Sequence, residues 1–395
     1  MIISFKITGF LRAVTILVYI FVNAMFILKY GIRQDYCSPY LLLIFYLLFI
    51  ISGLFIINHQ RDFINKNRKF TQGFTCVSIV FFVLFVSVNF LIDANTLNTD
   101  RWSALELSIR SLLHLEYPYD KLDHLNQTPS YLPGMIYIGL PFYLFGDVGL
   151  LQPFVFLITM FTILKSSLEN YIKLAFMFLL IFSVAFLWEV TAKSDLMSNV
   201  MLTLLFMFYW HHKYKDDYFR SPIKLAVFTS FLVLTRGFVI IPLTIFLFKS
   251  FSREKMKVKI VFLLSLFFSL LLLTVPILIS FSNQQTVIDH NPFFHQTAYA
   301  PHWLIIFFVT LPFFISLYIK NFYQVLKASF YLITILLLGL FIFNAFDEGW
   351  NANLYGGLFD ISYLGITIPF VIFMYANTLV SLDQKDSSKR SKSHS

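Results

Sequence analysis

The sequence predicts an all-α, polytopic membrane protein of about twelve helical segments, two of them short, and three observations carry that expectation. Apolar residues fill 58% of the chain and charged residues only 13%, too few to clothe a water-soluble fold of this length. Several apolar runs approach or exceed the roughly 20 residues that cross a bilayer as a helix. The runs are continuous rather than alternating, which suits helices that satisfy their own backbone groups and does not suit barrel strands.

The expected spans fall at 11–29, 40–58, 73–92, 148–164, 172–190, 197–211, 259–281, 303–319, 328–345 and 360–379. The first follows Lys6 and Arg12 and ends in no convincing small-residue cleavage site, so it is expected to be a retained signal anchor. Cys37 lies in a short loop and Cys76 just inside an apolar run, a distribution that forms neither a disulfide framework nor a metal-cysteine motif. After the third span comes an unusually polar stretch from Asp93 to Tyr131, with Asp100, Glu106, Glu116, Asp120 and Asp123 inside it. Behind it, the apolar segment 131–146 is interrupted by Pro133, Gly134, Gly139 and Pro141, which break or kink a helix.

Charge decides whether that segment spans, because Lys and Arg in short loops stay on the cytoplasmic side. With the N-terminus inside and 131–146 lying along the surface or re-entrant, every Lys and Arg lands inside except Lys29, Arg33, Arg101, Arg110, Lys121, Lys193 and Arg236. Arg236 sits in the middle of an apolar stretch that must leave and re-enter on one side, so two short helices are expected to meet at Arg236 and Gly237. The acidic loop, the turn TAKSDL at 191–196, the Arg236 apex, the loop 282–302 and the loop 346–360 then all face outside, with both termini cytoplasmic.

Residues 1–380 are thus expected to form one membrane domain with an outer loop at 93–147, followed by a disordered basic tail at 381–395. The net charge of +9 follows from this topology and implies no nucleic acid. The short basic inner loops hold no Gly-rich phosphate loop, which leaves no room for a cytoplasmic nucleotide domain. The abundance of Phe, Ile, Lys and Asn suggests an AT-rich bacterial genome, hence a bacterial inner membrane.

Polar chemistry is therefore sought on the outer face. Asp100 precedes a helical segment in which Trp102, Leu105, Ile109 and Leu112 share a face, and it suits either a helix cap or a catalytic base. Ser103 with Glu106 fits a capping box, and Glu106 with Arg110 fits a surface ion pair. Arg236 either meets an anion, snorkels to water, or pairs with Asp195 or Asp93. His290 and His295 read as solvated loop residues, as donors to phosphate or, with a carboxylate, as ligands of a divalent cation, although their spacing matches no established metal motif. Trp350 and Tyr355 suit the interfacial aromatic belt or a sugar face.

The order of these pieces resembles the glycosyltransferase C superfamily, multi-span enzymes that take sugars from polyprenyl-phosphate donors. Its first outer loop starts with an acidic residue, passes through a helix to a proline-tyrosine turn, and reaches a proline-bearing interfacial helix and a Phe-Gly pair. Asp100, the helix 101–115, YPYD, TPSYLPG and LFGD hold those places here, although SYLPG has one proline rather than a doublet. TAKSDLMSN resembles the second outer turn, and LTRGFVIIP the basic-Gly apex.

The resemblance implies a mannosyltransferase-like enzyme that moves a sugar from a polyprenyl-phosphate-sugar donor to a glycan, lipid or protein acceptor, with membrane lipid around it. Asp100 would act as general base, and Arg236 and Lys193 would bind the donor phosphate. Arg101, Glu106, Tyr119, Asp120, Asp195, His290 and His295 would support these or bind the acceptor. The family leaves a divalent cation, magnesium or manganese, open. The competing expectations are a lipid-linked-sugar flippase or transporter, for which no internal repeat is seen, and an outer-face polysaccharide polymerase or ligase, whose large outer loop would come late rather than early.

Overall fold

A computed structural model describes residues 2–278, 289–295 and 301–393, with the side chains of 9–278, 289–293 and 301–380. Every regular element among them is helical: α1 Ile2–Gly31, α2 Pro39–His59, α3 Arg61–Lys66, α4 Phe70–Leu91, α5 Arg101–Leu113, α6 Pro133–Leu144 and α7 Leu151–Lys165. There follow α8 Asn170–Ile181, α9 Val184–Thr191, α10 Leu196–Lys213, α11 Pro222–Val233, α12 Ile240–Arg253 and α13 Met256–Leu278. The last are α14 Pro292–His295, α15 His302–Tyr318, α16 Phe322–Glu348, α17 Trp350–Leu354, α18 Ser362–Gly365 and α19 Thr367–Ser393.

Seven helical stretches among the described residues are long and apolar enough to cross a membrane, and an eighth arises if α8 and α9 count as one bent span. The chain is therefore a helical membrane protein. The broken segment behind the acidic loop forms α6, whose 12 residues reach about 18 Å, well short of a bilayer core of roughly 30 Å. Two short helices, α11 and α12, flank Arg236 and Gly237 as the charge pattern requires.

The chain divides into two compact units, the first comprising Met1–Phe85, Phe156–Glu189 and Thr334–Ser395. No linker marks the division in the sequence, because its boundaries fall inside the helices α4, α7, α9 and α16. In this first unit α1 packs on α2 and α19, and α8 packs on α2 and α19. Gly53 lets α2 approach the Phe178 ring so closely that a Cβ there would collide with it. In the last span, Ser362–Val380, 83% of the most apolar window is buried, whereas in α2 the share is 17% and many of its Ile, Leu and Phe side chains are exposed. The backbone of α19 is helical through 381–393.

The break between α8 and α9 bends the chain by 54° without a proline or glycine. A polar residue of α1 stabilises it instead. Asn23 Oδ1 accepts from Ser183 Oγ at 3.0 Å and from the Ala185 amide at 3.1 Å, while Ser183 Oγ accepts from the Phe186 amide at 3.3 Å. These bonds satisfy amides that the broken helix leaves without intrahelical partners.

The second unit, Val86–Val155 and Val190–Ile333, holds the polar loop and the Arg236 hairpin. Here α11 packs along α13, α12 along α15, and α5 on α6. Gly134 at the start of α6 sits directly on the Phe231 and Leu234 carbonyls, so any side chain there would strike backbone. That close approach lets the Met135 amide reach the Leu234 carbonyl at 3.3 Å, which ties α6 to the end of α11.

Candidate active site

The polar residues of the second unit gather where the end of α11, the start of α10 and the segment before α6 meet. Arg236 is 5% exposed, a costly position for a cation unless it is paired. Asp195, 1% exposed at the N-cap of α10, pairs with it in a forked geometry: Nε to Oδ2 at 3.0 Å and Nη2 to Oδ1 at 2.7 Å. Asn199, one turn along α10, donates to Asp195 Oδ2 at 2.6 Å. The Tyr131 hydroxyl lies 2.9 Å from Asp195 Oδ1 and 2.8 Å from the Arg101 carbonyl, and its ring lies 4.4 Å under the Arg236 guanidinium. Of the alternatives left by the sequence for Arg236, the pair with Asp195 is the one formed.

Burial pushes the Asp195 carboxyl up, but the charge and hydrogen bonds of Arg236, with help from Arg101 and Tyr131, hold it below its ordinary range. Burial and the Asp195 charge push the Tyr131 hydroxyl far above its ordinary value, so it stays a donor. The centre is thus a buried ion pair braced by bonds from Asn199 and Tyr131 to Asp195.

A second pair lies beside the first. Lys193, with a left-handed φ of 50°, sends its ammonium to Asp147 Oδ2 at 2.5 Å. Asp147 Oδ1 accepts from Trp102 Nε1 at 2.9 Å and from the Gly149 amide at 2.7 Å, and the Lys193 ammonium sits 5.5 Å over the Trp102 ring. Glu106, one turn after Trp102, forms no ion pair with Arg110 among the described residues, contrary to expectation. Burial, reinforced by the Asp147 charge, instead pushes Glu106 above the usual carboxylate value against the opposing pull of Arg110 and Lys193.

Asp100 occupies the N-cap of α5 as expected, but its side chain caps nothing. Its φ and ψ of −85° and −10° are already helical, whereas a capping side chain needs an extended backbone to fold back onto the first turn. The capping box is not formed either. Ser103 lies within the helix, its Oγ donating to the Asp100 carbonyl at 3.0 Å and lying 2.6 Å from His124 Nδ1. His124 Nε2 lies 3.0 Å from the Leu97 carbonyl, so the imidazole pins the loop across the start of α5. The Asp100 carboxylate is half-buried and has no hydrogen-bond or ion-pair partner among the described residues. Its neighbour Arg101 is 8% exposed, and both charges act on Tyr131.

Of the remaining expected residues Tyr119 lines a cavity of about 100 Å³, together with Tyr117, Pro133, the end of α13 and residues 291–293. Tyr119 is 1% exposed and spends its hydroxyl on the Tyr131 carbonyl at 2.7 Å. Tyr117, pushed up to about 12 by burial and the Asp120 charge, lies 3.4 Å from the His290 carbonyl. Asp120 is exposed, and the side chain of His295 lies outside the described residues. Among the described residues no three His, Cys, Asp or Glu side chains form a group able to hold a metal ion.

The structure therefore brings together Asp195 and Arg236, with Arg101 and Asp100 beside Tyr131, and joins Lys193 to the Asp147 and Glu106 side of α5. It leaves Asp120 exposed and brings His290 only as far as a backbone carbonyl 3.4 Å from the Tyr117 hydroxyl. Sequence reasoning passed over Asp147, Tyr131, His124 and Asn199. Three of them lay inside quoted motifs, and the i, i+4 spacing of Asp195 and Asn199 was a readable signal. No family model, curated protein or solved structure matches the chain.

Proposed function

We propose that the protein is a membrane glycosyltransferase of the glycosyltransferase C kind, transferring a sugar from a polyprenyl-phosphate donor to an acceptor hydroxyl at the outer face. One observation carries the reading: Asp100, a half-buried carboxylate without a hydrogen-bond or ion-pair partner among the described residues, stands beside a cluster holding the buried cations Arg101 and Arg236. In the proposed step the acceptor oxygen attacks the anomeric carbon and its proton passes to Asp100. The bond from that carbon to the phosphate oxygen breaks, the polyprenyl phosphate leaves with the electron pair, and the anomeric centre inverts. Arg236 uses only part of its donor fork on Asp195, and its remaining N–H groups suit the departing phosphate.

The proposal includes twelve membrane segments, adding α10, α11, α12 and α15 to the eight above, with both termini in the cytoplasm of a bacterial cell. The order of helix ends supports it. The cluster draws on residues after α9 and α11 and before α7, α10 and α12, ends that share one side when successive segments alternate in direction.

The bent pair α8 and α9 favours a second reading, a lipid-linked-sugar flippase or transporter, because broken helices line transport paths. Purified protein in nanodiscs, given polyprenyl-phosphate sugars and an acceptor panel, separates the two. Release of polyprenyl phosphate with an inverted glycosidic product is expected. Movement of intact donor across a bilayer without release would replace the transferase with the transporter.

A further inference from the structure

We propose that Lys193 and Asp147 are a positioning pair that locks the 191–195 turn against α5, and that Lys193 does not bind the donor phosphate. Its effect on catalysis rests on the transferase reading; the lock itself does not.

Three features of the turn converge on this assignment. The Lys193 side chain is 3% exposed and that of Asp147 12%, so the pair is withdrawn from solvent. The Asp147 oxygens are shared among the Lys193 ammonium, the Trp102 indole and the Gly149 amide, so this carboxylate ties one residue of α5, one of its own loop and one of the turn. An anion reaching for Lys193 would have to displace Asp147 and leave a buried carboxylate without its counter-charge.

The backbone records the same constraint. A lysine at φ 50° adopts a conformation that side chains with a Cβ disfavour, and it persists only where the surroundings impose it. The Lys193 stem runs across Gly149, where a Cβ would approach its Cδ to 2.8 Å and its Cγ to 2.9 Å, so only glycine leaves the lysine this route. On the other side of the turn Gln152 Nε2 donates to the Ser194 carbonyl. With 193 and 194 fixed, the next residue is Asp195, whose carboxylate orients Arg236 and meets Tyr131. Trp102 belongs to the first turn of α5, which Asp100 heads. The pair therefore sets the separation between Asp100 and the Asp195–Arg236 centre.

The test uses the full-length protein in nanodiscs with Lys193→Met, Asp147→Asn, their double variant and Lys193→Arg. Misplacement by about 1 Å costs on the order of 100-fold in rate, so each single neutralising variant is expected to lose kcat on that scale with donor KM nearly unchanged. The double variant should be no worse than the singles, and Lys193→Arg should recover much of the loss. A raised donor KM with kcat retained would make Lys193 a phosphate contact and overturn the proposal, as would additive losses in the double variant. Thermal unfolding of the same four proteins reads the lock without activity: the singles should lower Tm, and the double should lower it no further. Additive Tm losses overturn the lock even if no transfer is found, whereas wild-type protein without transfer but with coupled Tm losses overturns only the transferase reading.

Discussion

Arg236 can sit inside the protein because Asp195 meets it with both oxygens, and removing one half exposes what the other costs. Asp195→Asn is expected to destabilise the fold by about 3–5 kcal/mol, the scale of an uncompensated buried charge, measured by thermal or chemical unfolding. The joint replacement Asp195→Leu with Arg236→Met should lose much less, because no charge is left behind. Glu106 makes the opposite prediction. Its carboxyl is raised in the folded protein by burial and Asp147, so its favourable contribution is complete below the unfolded value near 4.3 and is lost as pH rises through the folded value. Glu106→Gln should therefore raise Tm relative to the wild type at neutral pH, with the gain disappearing as pH falls toward about 4. A constant difference across that range would assign Glu106 a different environment.

Among the elements, the α8–α9 break and the α6–α11 contact are the places where single atoms decide geometry. Asn23→Ala removes the acceptor for Ser183 and the Ala185 amide, and unpaired buried donors of this kind cost about 1–3 kcal/mol each. A fall in Tm on that scale is expected, and an unchanged Tm would mean that water or a rearranged helix replaces Asn23. The two short helices around Arg236 and the helix after Asp100 were readable in the sequence because charge, hydropathy and proline placement act over neighbouring residues. The α8–α9 break was not, since its cause is a side chain 160 positions away in α1. Lys193 and Asp147 escaped notice as a pair for the same reason: 46 positions separate them, and the resemblance set Lys193 alone toward the donor phosphate. Glu106 and Arg110 show the converse, a local spacing that suits an ion pair which is not formed among the described residues, with Glu106 half-buried and Arg110 exposed.

Across the whole molecule, orientation is tested by the two native thiols, both free of disulfide bonds. Cys37 lies in the loop between α1 and α2, expected outside, and Cys76 lies within α4. A membrane-impermeant maleimide added to intact cells should label Cys37, and labelling of that residue only after permeabilisation would invert the topology and move the polar cluster to the cytoplasm. The central claim concerns Asp100, a carboxylate beside the cluster with neither a capping bond nor an ion pair among the described residues to explain it. Its most direct test is sugar transfer from a polyprenyl-phosphate donor by wild-type and Asp100→Asn proteins of matched Tm. A loss of roughly 100-fold or more, as removal of a general base produces, is predicted, and transfer by Asp100→Asn at the wild-type rate would contradict the account.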